Sequence, residues 1–503
     1  GSGETAVGVR ALKVSVADDN TAVGLNALTA NTTGTKNVAV GKDSGLAITT
    51  GDQNTALGTR TLQAATTADH NTAIGEAALY ANTSGASNTA VGSQALAANT
   101  TASNNTAVGQ GSLDANTTGA SNTAVGQGSL GANTTGSNHT AVGKDALLVS
   151  TAAGYDTAIG DSVLKANTTG NYNTGVGASA LAANTTTSNH TAVGYAALSS
   201  NTTGAGNTAV GKDSMRATTT GTRNTALGHA SLEINTTGDD NVALGDYALY
   251  NNTSANNNVA VGKDAMLSNT TGASNVAVGY VALDANTTGS NNTSIGSYSL
   301  GANIDGDANT AVGNDCLDSN TTGARNTAIG VDALQANATS NDNVAVGYAA
   351  LQANEAANNT AVGKNAGYST TTGTLNTMIG FDAGSGTSTG INNTCVGANA
   401  GENITTGSYN TMIGESTSIT SATTNNANAF GFSVESETGY TTIGISASDI
   451  RSQNGVATWA TVSDERVKKD IEDSSAGLSF INDLRPRTFN YKNKGDLPEE
   501  FRG

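Results

Sequence analysis

Proline is nearly missing from the 503 residues: there are two, Pro486 and Pro498, both close to the C-terminus. Ahead of them no locked φ interrupts a repeated backbone geometry. Cysteine is as scarce, and Cys316 and Cys395 alone exclude a disulfide framework. Aromatic residues make up 4% of the chain, so large rings cannot fill a conventional core. No run of 18 apolar residues occurs, which excludes a transmembrane helix, and no membrane insertion is expected. Lys and Arg number 22 against 40 Asp and Glu, a net charge of −18 that argues against nucleic-acid or anionic-membrane partners. The acidic surface serves solubility. No two of the four histidines share a metal-ligand spacing, so no metal is expected, and no cofactor either. The chain shows no signal peptide; it opens GSGETAVG, already inside a repeat, and reads as a fragment from which a targeting segment is missing.

What is abundant is glycine, 62 residues, and it recurs on a fixed frame. Asn105 to Asn138 reads NTAVGQGSLDANTTGAS followed by NTAVGQGSLGANTTGSN. The frame runs from Glu4 to Tyr409 in 24 units, two of 16 residues and the others of 17. Self-similarity at a fixed period marks a repeat architecture. With the unit written NTAVGxxALxxNTTGxx, the fifth position is Gly in every unit and the fourth is Val, Ile or Leu. The TAV run carries the strand period, with its second and fourth positions on one face and the third on the other. A second short strand is expected through the AL pair. The opening Asn and the NTTG segment read as corners, because Asn and Gly tolerate φ > 0. Gly and Asn breakers exclude a helix.

The predicted fold is therefore all-β: a parallel β-solenoid of about 24 coils stacked at ~4.8 Å, a rod on the order of 115 Å. Equivalent residues fall into columns, Val176 over Val193 and Leu181 over Leu198. A 17-residue coil with so few large side chains buries little area to offset its ordering entropy. Small residues at the third position, nearly always Ala, suit a face where backbones of three coils approach. A homotrimer is expected, with three Cys395 thiols converging if that position faces its axis.

Recurring NTAVGxxAL resembles the head repeats of trimeric autotransporter adhesins, the YadA-like left-handed β-roll. The resemblance covers about 80% of the chain by the unit count, and implies three rolls joined around a threefold axis. The familiar repeat is shorter; here NTTG lengthens the second corner.

Cys316 and Cys395 lie five coils apart, beyond disulfide reach, and read as buried small side chains. His139 and His190 open their units in place of Asn. The recurrent GKD, as at Lys212-Asp213 and Lys263-Asp264, reads as a solvated corner. Residues 1–409 are thus one domain of solenoid repeats. Residues 410–462 hold decaying echoes (NTMIG, AFGF, TTIGISA) and read as a cap and neck.

At Ser463 the composition changes. The last 41 residues hold both prolines and eight of the 22 Lys and Arg. Ser475 can cap a short helix with Leu478, Ile481 and Leu484 on one face, stopped by Pro486. Thr488 to Lys492 reads as a strand, giving this end α+β character. SDERVKKDI (Ser463 to Ile471) and GLSFINDLRPRTFNYK (Gly477 to Lys492) resemble the start of the endosialidase-type intramolecular chaperone, the self-cleaving C-terminal domain of phage tail fibres and tailspikes. The family domain is longer, so residues 463–503 read as its beginning. The resemblance implies Ser463 as nucleophile, Lys468 as its partner, and a scissile bond between Val462 and Ser463. A Lys with a pKa lowered by burial can serve as base to a serine.

The resemblances together imply a trimeric phage tail fibre in the virion that attaches to a host-surface receptor, a glycan, alongside other tail proteins. A bacterial surface adhesin is the alternative. No cleft or site constellation points to an enzyme acting on external substrates; the one activity implied is a single cut of the chain's own tail. Stacked NTTG threonines would also form a regular array of the kind that binds ice.

Overall fold

A computed structural model describes residues 2–461, apart from 447 and 457. Val462, Ser463, Lys468 and the expected helix and strand of the tail lie outside the described residues. The described residues form an all-β parallel solenoid of about 26 turns. Three-residue strands, β1 (Thr5–Val7) to β25 (Thr411–Ile413), occur once per coil. Each pairs in parallel with the next in unbroken register, for example Thr106↔Thr123, Ala107↔Ala124 and Val108↔Val125. The stack continues through β27 (Asn428–Phe432) and β29 (Tyr440–Ile445), beside a short pair, β26 (Ser418–Ile419) and β28 (Glu435–Ser436). It then turns antiparallel into β30 (Ile450–Gln453) and β31 (Ala460–Thr461).

The coil of Asn105 to Ser121 shows how each unit closes. Ala107 on the strand points inward and is fully buried, as are Ser112 and Leu113. Thr106 and Val108 point outward and are half-exposed. The interior is thin enough that one Leu and two small residues fill it. The third position therefore faces the inside of its own coil, not a neighbouring chain. Cys395, also fully buried, sits in that interior, so no thiols converge on an intermolecular axis. The fourth-position aliphatics lie outside it.

The AL pair does not form a strand. It belongs to a run of turns in which the seventh and ninth positions are left-handed: Leu113 has φ 51° and Leu130 φ 52°. The seventeenth position is left-handed too, as at Ser121 with φ 61°. The opening Asn and the Asn of NTTG are not. Leucine in this region costs about 1 kcal/mol or more, offset here by complete burial of its side chain. The invariant fifth-position Gly has two constraints. Gly109 adopts φ 136°, and a Cβ on it would lie 2.5 Å from the carbonyl oxygen of Gly126 in the next coil. Any side chain there would push the coils apart.

The corner asparagines are the second structural device. Asn105 is fully buried. Its Nδ2 donates to the Gly119 carbonyl across its own coil at 2.9 Å, and its Oδ1 accepts the N–H of Asn122 at 2.9 Å. Asn116 is buried likewise; its Nδ2 donates to Asn99 Oδ1 at 3.0 Å and to Gly119 O at 2.9 Å. Two amide ladders thus run along the rod, satisfying polar backbone that a 17-residue coil cannot otherwise cover.

Candidate functional site

Three features stand out against this uniform background. The first is the outer face of the strands. The second and fourth positions of successive coils make a flat stripe of Thr and branched aliphatics. Leu57 is 45% exposed, Ile159 41% and Leu227 49%. Single exposed aliphatics are ordinary, but a column of them along a rod of about 120 Å, at ~4.8 Å per coil, is a continuous apolar stripe. The hydroxyls at the thirteenth position, by contrast, are engaged: Thr117 Oγ1 donates to Thr134 O at 2.9 Å. The first NTTG threonine therefore does not present a free hydroxyl to an external lattice, whereas the second, as at Thr118, is exposed.

The second is a defect in the first-position ladder. His139 and His190 replace Asn, and Asp156 replaces it between them, all fully buried. Neutral His139 reproduces both asparagine functions. Its Nε2 lies 2.9 Å from the Ala153 carbonyl and donates to it, while Nδ1 accepts the Asp156 N–H at 3.3 Å. Protonation would remove that acceptor, and burial lowers the His139 pKa to about 4. His190 keeps the acceptor, Nδ1 taking the Asn207 N–H at 3.3 Å, while its Nε2 lies 3.0 Å from Thr187 Oγ1; burial lowers its pKa to about 4. Asp156 keeps the acceptor, Oδ1 taking the Asn173 N–H at 2.8 Å, but as carboxylate it has no proton to donate across the coil. Burial raises its pKa to about 7. Asp156 was missed in the sequence, since Asp for Asn is an ordinary exchange in a turn. Its signal was its place in a buried column.

The third, the expected autocleavage pair Ser463 and Lys468, is a feature of the sequence and lies outside the described residues. The two described cysteines cannot substitute for it, because both are fully buried and burial pushes their thiols up to about 12. Cys316 Sγ is engaged with the Ala328 carbonyl at 3.1 Å. Among the described residues no three His, Cys, Asp or Glu side chains gather as metal ligands. The GKD pairs are solvated, Lys212 Nζ lying 2.6 Å from Asp213 Oδ2 with Lys212 exposed. The chemistry of the C-terminal end rests instead on its sequence. Residues 463–501 match the family model described as chaperone of endosialidase. The match spans both motifs singled out above and includes Ser463 and Lys468. No curated protein and no solved structure matches the chain. A long parallel β-solenoid continuous with such a segment has the make-up of a tail-fibre-like fibrous protein with a C-terminal chaperone.

Proposed function

We propose that the chain is a trimeric phage tail fibre used for host-surface attachment, with residues 1–409 as rod, 410–462 as cap and neck, and 463–503 as the start of a chaperone that aligns three chains. The observation that carries this reading is the continuity of a 17-residue solenoid with a chaperone-of-endosialidase segment. Register is the physical reason for the pairing. Near-identical coils let one chain slip past another by a whole unit at little cost, and a C-terminal aligning segment removes that degeneracy. Cleavage between Val462 and Ser463, with Lys468 as base to Ser463, would then make assembly irreversible. The three chains meet through the Thr and aliphatic stripe of the strands, the surface a lone rod leaves most apolar. The chaperone match favours this over a bacterial surface adhesin, which shares only the rod. Light scattering tests it: the expected particle has three times the mass of one chain, and a folded monomer overturns the reading.

A further inference from the structure

We propose that one corner of the rod, from His229 to Tyr298, is a binding site for a neutral saccharide; the inference rests on the attachment reading above and names where that attachment occurs. The sixth, seventh and tenth positions differ from coil to coil while the first, third, fifth and ninth barely change. Chemical variety on a uniform scaffold is where recognition can reside. Between the seventh and tenth positions the surface is recessed. Around Tyr247, Tyr250, Asn251, Asp264 and Leu267 the recess has a volume of about 410 Å³.

Two of its lining side chains are aromatic, Tyr247 and Tyr250, and further rings lie on neighbouring coils. His229 packs edge-on against Tyr247 at 5.1 Å between centroids, and Tyr247 against Tyr250 at 5.4 Å. One coil beyond Asp264, Tyr280 meets Tyr298 at 5.5 Å and 89°. Lys263 joins the two halves, with Nζ 2.8 Å from Asp264 Oδ2 and 5.7 Å from the Tyr280 ring centre. Tyr247 and Tyr250 line the recess themselves. Elsewhere on the rod Tyr155 and Tyr172 stack in parallel, 15° between planes, away from it. An aromatic lining beside carboxylate and amide groups fits a pyranose, which offers an apolar C–H face and a rim of hydroxyls. Tyr247 and Tyr250 stand on the coil before Asp264 and Tyr280 on the coil after it, with no ring on the coil between, so about two rises of ~4.8 Å separate the aromatic groups, a span that an oligosaccharide lying along the rod can bridge. Asp264 is offset by Lys263, and the bias against acidic glycans comes from Asp246, Asp284 and the chain's net charge of −18.

The test immobilises malto-, chito- and galacto-configured oligosaccharides beside sialylated and sulfated ones, and measures retention of the full chain. The expected result is binding to a neutral member, at least tenfold weaker in the Tyr247→Ala/Tyr250→Ala and Tyr280→Ala/Tyr298→Ala variants and unchanged in Tyr155→Ala/Tyr172→Ala. Circular dichroism of each variant confirms the fold. No binding to any neutral glycan, binding to acidic glycans alone, or equal loss in the Tyr155/Tyr172 control overturns the site. Adsorption to cells separates the two proposals: corner variants that adsorb like the unmodified fibre sink the site and leave attachment standing, whereas a folded fibre that adsorbs to no cell sinks attachment itself.

Discussion

The ring nitrogen Nδ1 of His139 accepts the backbone N–H of Asp156, one coil further on, at 3.3 Å. An imidazole thus carries a hydrogen bond that an asparagine carbonyl carries in neighbouring coils, and it does so only while neutral. The coil that follows has the opposite dependence: both Asp156 oxygens accept hydrogen bonds, from Asn173 N–H and Asn167 Nδ2, but burial outweighs them and favours the protonated acid.

Stability should therefore fall on both sides of a pH optimum. For His139 and His190 the folded pKa of about 4 lies below the ordinary 6.5. Their contribution is complete above 6.5 and is lost as pH falls through 4. For Asp156 the folded pKa of about 7 lies above 3.8; its contribution is complete below 3.8 and is lost as pH rises through 7. At ~1.4 kcal/mol per unit, each group is worth a few kcal/mol. Asp156→Asn restores a permanent donor and should raise the thermal midpoint at pH 8 while changing little at pH 4. His139→Asn should flatten the acid limb. Circular dichroism melts between pH 3.5 and 9 check both.

Asn122→Ala would strip two buried partners at once. Asn122 Nδ2 donates to Gly136 O and its Oδ1 accepts the His139 N–H, each at 2.9 Å. The expected cost is about 2–4 kcal/mol, because both partners stay buried and unpaired. Thr123→Ala, one residue on and facing outward, should stay within about 0.5 kcal/mol. Hydrogen exchange over residues 105–155 reads the contrast.

The strand face gives a test of assembly. Val108→Asp with Val125→Asp places two carboxylates on the outward stripe without entering the coil interior. Each rod should still fold, because both side chains are only half-buried, but the chains should separate or associate weakly. Sedimentation velocity at low and high salt measures this. An unchanged trimer would move the interface to another face.

Ser463→Ala should leave a folded, full-length trimer still carrying its tail, and Lys468→Ala should slow or block cleavage while Lys469→Ala does little. Intact-mass measurement on a fibre with a complete chaperone reads the terminus. A product ending at Val462 in the unmodified fibre is expected; its absence reduces the segment to an aligning device.

Much of the rod was legible because TAV alternates and the unit returns every 17 residues: strand, parallel stacking and register follow from those two facts. What was misread shares one cause, that a residue type can serve two physical purposes. Alanine at the third position suits either a close approach of chains or a thin interior, and only Ala107, buried within its own coil, decides between them. Asparagine suits either a left-handed corner or an amide ladder, and Asn105 belongs to the ladder. Leu113 with positive φ contradicts its own propensity, so no local rule could place it. Ser463 and Lys468 were legible through motif alone.

Because the strands lie across the rod, the bonds between coils point along it. Tension applied at the two ends therefore loads every coil in series, and the fibre yields at its weakest rung rather than as a whole. Each coil that opens releases 17 residues, on the order of 55 Å of slack at ~3.3 Å per residue. With His139, Asp156 and His190 among asparagine rungs, the rod carries a fuse over these coils: a tether that lengthens stepwise under a pull, and gives way first where its polar ladder is mixed.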